Sequence, residues 1–179
     1  MRVLLLPGFS PETRDELVSY VQALESCGFH CDAREWRHWE RPGTPWDNDA
    51  ELERIEESID GYGGAHFVLV AKSVGTYLAC QILVGHPELL DQVSHVVLLG
   101  IPLKDTKHIE AGVYPAALTR YPGPITVFQN SEDPFARATQ IDSLLTGAKA
   151  TLVVKEGASH RYPYAEELRE ILQPAHAGT

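Results

Sequence analysis

Cysteine is scarce in this chain: Cys27, Cys31 and Cys80 are the only three in 179 residues. An odd and small number supplies no disulfide framework. Cys27 and Cys31, four apart across an expected helix-to-strand turn, have no matching histidine or cysteine cluster to complete a metal site. Structural free thiols are the reading they support. Positive charge is also short, with 15 Lys and Arg against 25 Asp and Glu and a formal net charge of −10. That balance argues against nucleic acid and anionic membrane as partners, since both need basic patches. Long apolar runs are missing as well. The first one, Val3 to Leu6, stops at Pro7-Gly8 and is too short for a secretory h-region. No run approaches the ~20 residues that span a bilayer. A cytoplasmic protein is therefore the default expectation. Internal repeats, low-complexity segments and a usable phosphate-binding glycine motif are absent too.

What is present is an alternation of short apolar runs with helical patterns. Strands are expected at Arg2 to Leu6, Phe29 to Trp36, Phe67 to Ala71, Val93 to Gly100, Ile125 to Asn130 and Ala150 to Lys155. Helices are expected from Ser10-Pro11 to Gly28, after an Asp47 N-cap, after Ser73, over Phe135 to Leu145, and from Pro163 onward. In the helix after Asp47, Leu52, Ile55 and Ile59 form the buried stripe and the acidic residues face water. Such alternation predicts an α/β fold, a three-layer sandwich with a mostly parallel central sheet covered on both faces. Residues 1–173 read as one domain and 174–179 as a disordered tail.

The stretch Phe67-Val68-Leu69-Val70-Ala71-Lys72-Ser73-Val74-Gly75 carries the most chemical information. A buried-strand run breaks at one serine, and a helix begins directly after it. A serine on a sharp strand-to-helix turn has its Oγ lifted clear of the backbone, above a helix N-terminus that favours negative charge. Small residues two before and two after it let strand and helix approach closely. Here they are Ala71 and Gly75, so the pattern is Ala-Lys-Ser-Val-Gly where G-x-S-x-G is usual. An N-cap serine with a packing glycine would leave the same trace.

A serine hydroxyl needs a base, and the base needs an orienting group. Asp133 follows the strand that ends at Asn130 and is the candidate orienter. Its position before Pro134 suits a helix N-cap equally well, and Glu132 is an alternative acid. His160, one of eight histidines, lies in the loop after the Lys155 strand and is the candidate base. All three residues fall just past the C-terminal ends of strands, where open parallel sheets bind ligands.

With its order of Ser, Asp, His, the chain resembles the α/β-hydrolase superfamily over nearly its whole length, as a small, cap-poor member. The resemblance implies a Ser73-His160-Asp133 triad and an oxyanion hole made by the backbone N–H groups of Phe9 and Val74. It also implies that no metal, nucleotide or organic cofactor takes part. The first strand ends in Pro7-Gly8-Phe9-Ser10, where the family usually carries a His-Gly turn, so proline replaces the histidine. Residues 101–123, where a cap is often inserted, are enough for a lid loop or one short helix, and the site should be shallow.

Lys72 beside the serine either biases the site towards anionic substrates or snorkels to solvent. His108 and Tyr114, in the lid stretch, are candidate substrate contacts. Trp36, Trp39 and Trp46 either line an aromatic pocket or, as favoured here, fold over the sheet edge to shield it. The leading function is a serine hydrolase cleaving a carboxylic ester or thioester of a small acyl substrate. The alternatives are a catalytically silent binding protein on the same scaffold, or an acyltransferase or peptidase using the same triad.

Overall fold

The six apolar runs form six parallel strands of one sheet: β1 (Arg2–Leu6), β2 (His30–Ala33), β3 (Phe67–Lys72), β4 (Val93–Leu99), β5 (Ile125–Asn130) and β6 (Ala150–Lys155). The computed structural model describes residues 1–105 and 107–176. Strand order is β2-β1-β3-β4-β5-β6. Every residue of β3 and β5 is buried, as expected for inner strands covered on both faces. The edge strands β2 and β6 are half-exposed. β2 is shorter than the expected Phe29 to Trp36, because it is an edge strand of mixed polarity that pairs with β1 over four residues only.

Helices α1 (Arg14–Glu25), α3 (Asn48–Asp60), α4 (Val74–Gly85), α5 (Val113–Arg120), α6 (Ala138–Leu144) and α7 (Ala165–His176) connect or follow the strands. The order reverses at β1. With right-handed crossovers, this puts α1 on one face of the sheet and α3 and α4 on the other. α7 packs on α1, and α5 packs on α4. A one-turn helix, α2 (Arg37–Glu40), appears inside the tryptophan loop, where only loop was expected.

Several boundaries differ from the sequence reading for local reasons. The chain after Ser10 opens as a 3-10 turn over Pro11–Thr13 before α1 begins. Asp47 caps α3 as expected, accepting from the Ala50 N–H at 3.2 Å. Ile55 and Ile59 are buried and Leu52 is half-buried, but Glu51 is buried too; it accepts from the Arg37 N–H at 2.8 Å and pairs with Arg54 at 3.0 Å. The carboxylate thereby joins α2 to α3 instead of facing water. α6 starts at Ala138, because the Asp133 side chain turns back to accept from the Phe135 N–H and holds a tight turn there. α7 starts at Ala165, two residues past Pro163, and runs through Pro174 to His176, so the expected tail begins inside a helix. Residues 177–179 of that tail lie outside the described residues. Cys27 and Cys31 are half-buried and Cys80 is buried; burial pushes the Cys31 thiol up to about 12.

Among the described glycines, Gly75 lies tightest against other backbone. A Cβ there would sit 2.6 Å from the Leu6 carbonyl oxygen and 2.7 Å from that of Pro7. Both are backbone atoms and cannot swing aside, so only glycine lets the first turn of α4 lie against the end of β1. Gly75→Ala is expected to cost about 1–3 kcal/mol of stability, read from the midpoint of chemical denaturation. An unchanged midpoint would mean that this contact is not tight.

Candidate active site

The sheet's order reverses between β1 and β3, and the carboxyl ends of those two strands open into a cleft of about 350 Å³. Gly8, Phe9, Lys72, Ser73, His108 and His160 are among its walls. Ser73 follows β3 with φ of 52° and ψ of −122°, the only non-glycine residue with positive φ among the described residues. A conformation of this kind costs roughly 1–3 kcal/mol and persists only when its surroundings over-determine it. They do so here. The Ser73 N–H donates to the Leu99 carbonyl at 2.9 Å, and its own carbonyl accepts from the Thr76 N–H at 2.8 Å and the Thr76 hydroxyl at 2.6 Å.

The three candidate residues lie in one hydrogen-bonded chain. His160 Nε2 is 2.8 Å from Ser73 Oγ, and His160 Nδ1 is 2.7 Å from Asp133 Oδ2. A carboxylate accepts and cannot donate, so Nδ1 carries the ring proton and Nε2 is left as an acceptor for the serine hydroxyl. Asp133 is 1% exposed and fully occupied. Its Oδ1 accepts from the Phe135 N–H at 2.8 Å, and its Oδ2 accepts also from the Tyr162 hydroxyl at 2.6 Å. Burial alone would raise the Asp133 carboxyl, but the His160, Tyr162 and Phe135 hydrogen bonds outweigh it and hold the group below its ordinary value. Glu132, the alternative acid, is exposed and pairs with Arg137 at 3.0 Å.

The His160 loop is held by residues that sequence reasoning passed over. Asn130 Nδ2 donates to the carbonyls of Ser159 and Arg161, on either side of His160, at 2.8 and 2.9 Å. Tyr162 is buried, and its hydroxyl accepts from the Asn130 N–H at 3.2 Å. Its ring fills the space a side chain at Gly100 would need: a Cβ there would come within 2.3 Å of it. The available signal was two amide side chains, Gln129 and Asn130, closing an otherwise apolar strand. Both are buried and fully used.

Other candidates are redistributed. Lys72 neither snorkels nor stands free: it is 3% exposed and pairs with buried Glu16 at 3.3 Å. Burial pulls its ammonium below the ordinary lysine value, with Glu16 opposing. Tyr114 is a core residue, because its hydroxyl lies 3.0 Å from Thr76 Oγ1 behind the serine turn and cannot reach the cleft as a substrate contact. His108 does border the cleft, with Nδ1 2.9 Å from both oxygens of Asp105 and its ring 4.4 Å from that of Phe9. Trp36 and Trp39 are buried, and Trp46 packs against Phe9 at 5.3 Å. The N–H of Val74, first residue of α4, is one of the donors a helix leaves without an intrahelical partner. No group of three or more His, Cys, Asp or Glu among the described residues is placed to hold a metal ion. No helix among them is long and apolar enough to cross a membrane.

No protein-family model and no curated protein sequence matches the chain. Solved structures do. An esterase from Exiguobacterium antarcticum superposes with a TM-score of 0.76 at 14% identity, over 99% of this chain and 92% of that one. An alpha-beta serine hydrolase homologue from Coxiella burnetii gives 0.73 at 16% identity, over 98% and 84%. The thioesterase domain from the curacin biosynthetic pathway gives 0.72 at 13% identity, over 99% and 91%. The chain therefore has the α/β-hydrolase fold, in a version with six strands and, among the described residues, no helix beyond α5 between β4 and β5.

Tyr162→Phe is expected to cost about 1–3 kcal/mol, because the Asn130 N–H and Asp133 both lose a buried partner. A depressed carboxyl stabilises the fold above its unfolded pKa, and that contribution is lost as pH falls through the folded pKa. Removing one lowering hydrogen bond raises the folded value towards the unfolded one, so the acid-side loss of stability should be smaller in the variant and should end at a higher pH. Denaturation midpoints measured across the acid range test this. An acid limb in the same place would contradict the Tyr162–Asp133 bond.

Proposed function

We propose that the protein is a serine hydrolase that cleaves a carboxylic ester or thioester of a small substrate. The observation that carries the reading is the unbroken chain from Ser73 Oγ through His160 to buried Asp133, built on a strained strand-to-helix turn. The esterase and thioesterase among the structural neighbours agree with it.

In this reading Ser73 Oγ attacks the substrate carbonyl while His160 Nε2 takes its proton. Asp133 keeps the ring in the Nδ1–H form and stabilises the imidazolium. The carbonyl oxygen becomes negative and is held by the N–H groups of Phe9 and Val74. Collapse expels the alcohol or thiol, which receives the proton from His160, and leaves an acyl-serine. Water activated by the same histidine then releases the acid. Among the described residues of 101–123, α5 is the only helix, it packs on α4, and the cleft stays open to water. An open site suits activated esters better than amides. Lys72 is buried and held by Glu16, so no anion-binding role is assigned to it. His108 is assigned a wall of the substrate cleft.

Turnover of p-nitrophenyl butyrate and of a short acyl thioester tests the reading. Wild type should hydrolyse at least one, and Ser73→Ala should reduce kcat by about four orders of magnitude or more. A folded wild type without turnover would leave the silent-scaffold alternative as the working account, and a Ser73→Ala variant with wild-type rates would mean that Ser73 is not the nucleophile.

A further inference from the structure

Proline stands at position 7 where a histidine would be expected to organise the first turn, and the structure supplies three other groups in its place. Trp36 Nε1 donates to the Gly8 carbonyl at 2.7 Å. Trp39 Nε1 donates to the Phe9 carbonyl at 2.7 Å, and His38 Nε2 lies 2.8 Å from the same oxygen. A carbonyl only accepts, so the His38 proton is on Nε2. The other ring nitrogen, Nδ1, is buried without a hydrogen-bond partner among the described residues. The His38 ring also stacks on the Phe9 ring at 4.7 Å.

These contacts determine a direction. In a trans peptide the C=O and N–H point opposite ways in one plane, and no cis bond occurs among the described residues. Fixing the Gly8 carbonyl on Trp36 therefore fixes the Phe9 N–H on the opposite side, away from Trp36. Fixing the Phe9 carbonyl holds the next peptide plane too, so the backbone on both sides of Phe9 is constrained. The turn is also backed from beneath: a Cβ on Gly8 would lie 3.2 Å from Lys72 Nζ and 3.4 Å from Thr13.

We infer that Trp36, His38 and Trp39 are positioning residues that aim the Phe9 N–H as an oxyanion donor. This rests on the hydrolase reading above and goes beyond it. None of the three is among the residues lining the cleft; they act through the turn. A donor aimed at the developing oxyanion is used in the transition state and little in the ground state, so its misplacement lowers kcat and spares KM.

The test replaces Trp36, and separately Trp39, with benzothienylalanine, which keeps the bicyclic shape and puts sulfur where the N–H was. Trp39→Phe is a second variant at the more peripheral position. Steady-state hydrolysis of p-nitrophenyl butyrate, inhibition by a trifluoromethyl ketone and thermal denaturation are measured for each. With the fold retained, kcat should fall about tenfold to a hundredfold, with KM within about twofold. Affinity for the ketone, whose serine adduct carries the oxyanion, should fall by the same factor as kcat/KM. Folded variants with wild-type kcat, or with lower kcat but unchanged ketone affinity, would overturn the inference while leaving the hydrolase reading intact. An inactive wild type that does not bind the ketone would overturn both.

Discussion

The approach of α4 to the end of β1 is the contact on which the rest depends. Gly75 allows the Leu6 and Pro7 carbonyls to lie against the first helical turn, at a distance that no side chain would permit. That approach brings the turn after β1 beside the turn after β3, and so places Gly8 and Phe9 on the same cleft as Ser73. Ser73 itself sits in a backbone conformation that other residues avoid, and Leu99, Thr76 and, behind Thr76, Tyr114 hold it there. Strain at one residue is thus kept by ordinary hydrogen bonds on three elements.

Burial of polar groups has a consistent logic around this centre. Asp133, Asn130, Gln129 and Glu16 are all nearly inaccessible, and each is bonded by the chain's own backbone or side chains. Glu16, which accepts from the Tyr162 N–H, also faces two cations, Lys72 at 3.3 Å and Arg161 at 2.9 Å. A buried ion pair of this kind is weak evidence for added stability, since desolvation offsets much of its attraction. Its visible effect is spatial: the Lys72 head is held under Gly8, and α1 is tied to the His160 loop through Arg161. The network therefore links the two halves of the candidate site through a third element.

Much of this was legible in the sequence because the signals were local. Apolar runs with helical patterns between them gave the parallel sheet, and the break at Ser73 gave the sharp turn. The positions of Asp133 and His160 after their strands placed them at one end of the sheet. What escaped depended on contacts between residues distant in sequence. Tyr162 reads as one more aromatic near a loop until its hydroxyl is seen against Asp133, and Asn130 reads as a strand end until it is seen holding both flanks of His160. Lys72 could not be assigned without Glu16, which lies on a helix 56 positions earlier by its numbering. Tyr114 was misplaced because the lid stretch folds its helix back onto α4, so an aromatic in that stretch became core. The tryptophans were read as shielding the sheet edge; Trp36 and Trp39 are buried, but what they hold is the turn at Gly8 and Phe9.

The proposed reaction requires Ser73 to be made nucleophilic by His160 and Asp133. Treatment with a fluorophosphonate, followed by mass spectrometry of the digested protein, tests this without knowledge of the substrate. One adduct is expected, on Ser73, formed by the wild type and lost in His160→Ala. A folded wild type that takes up no reagent, or takes it up at another residue, would contradict it.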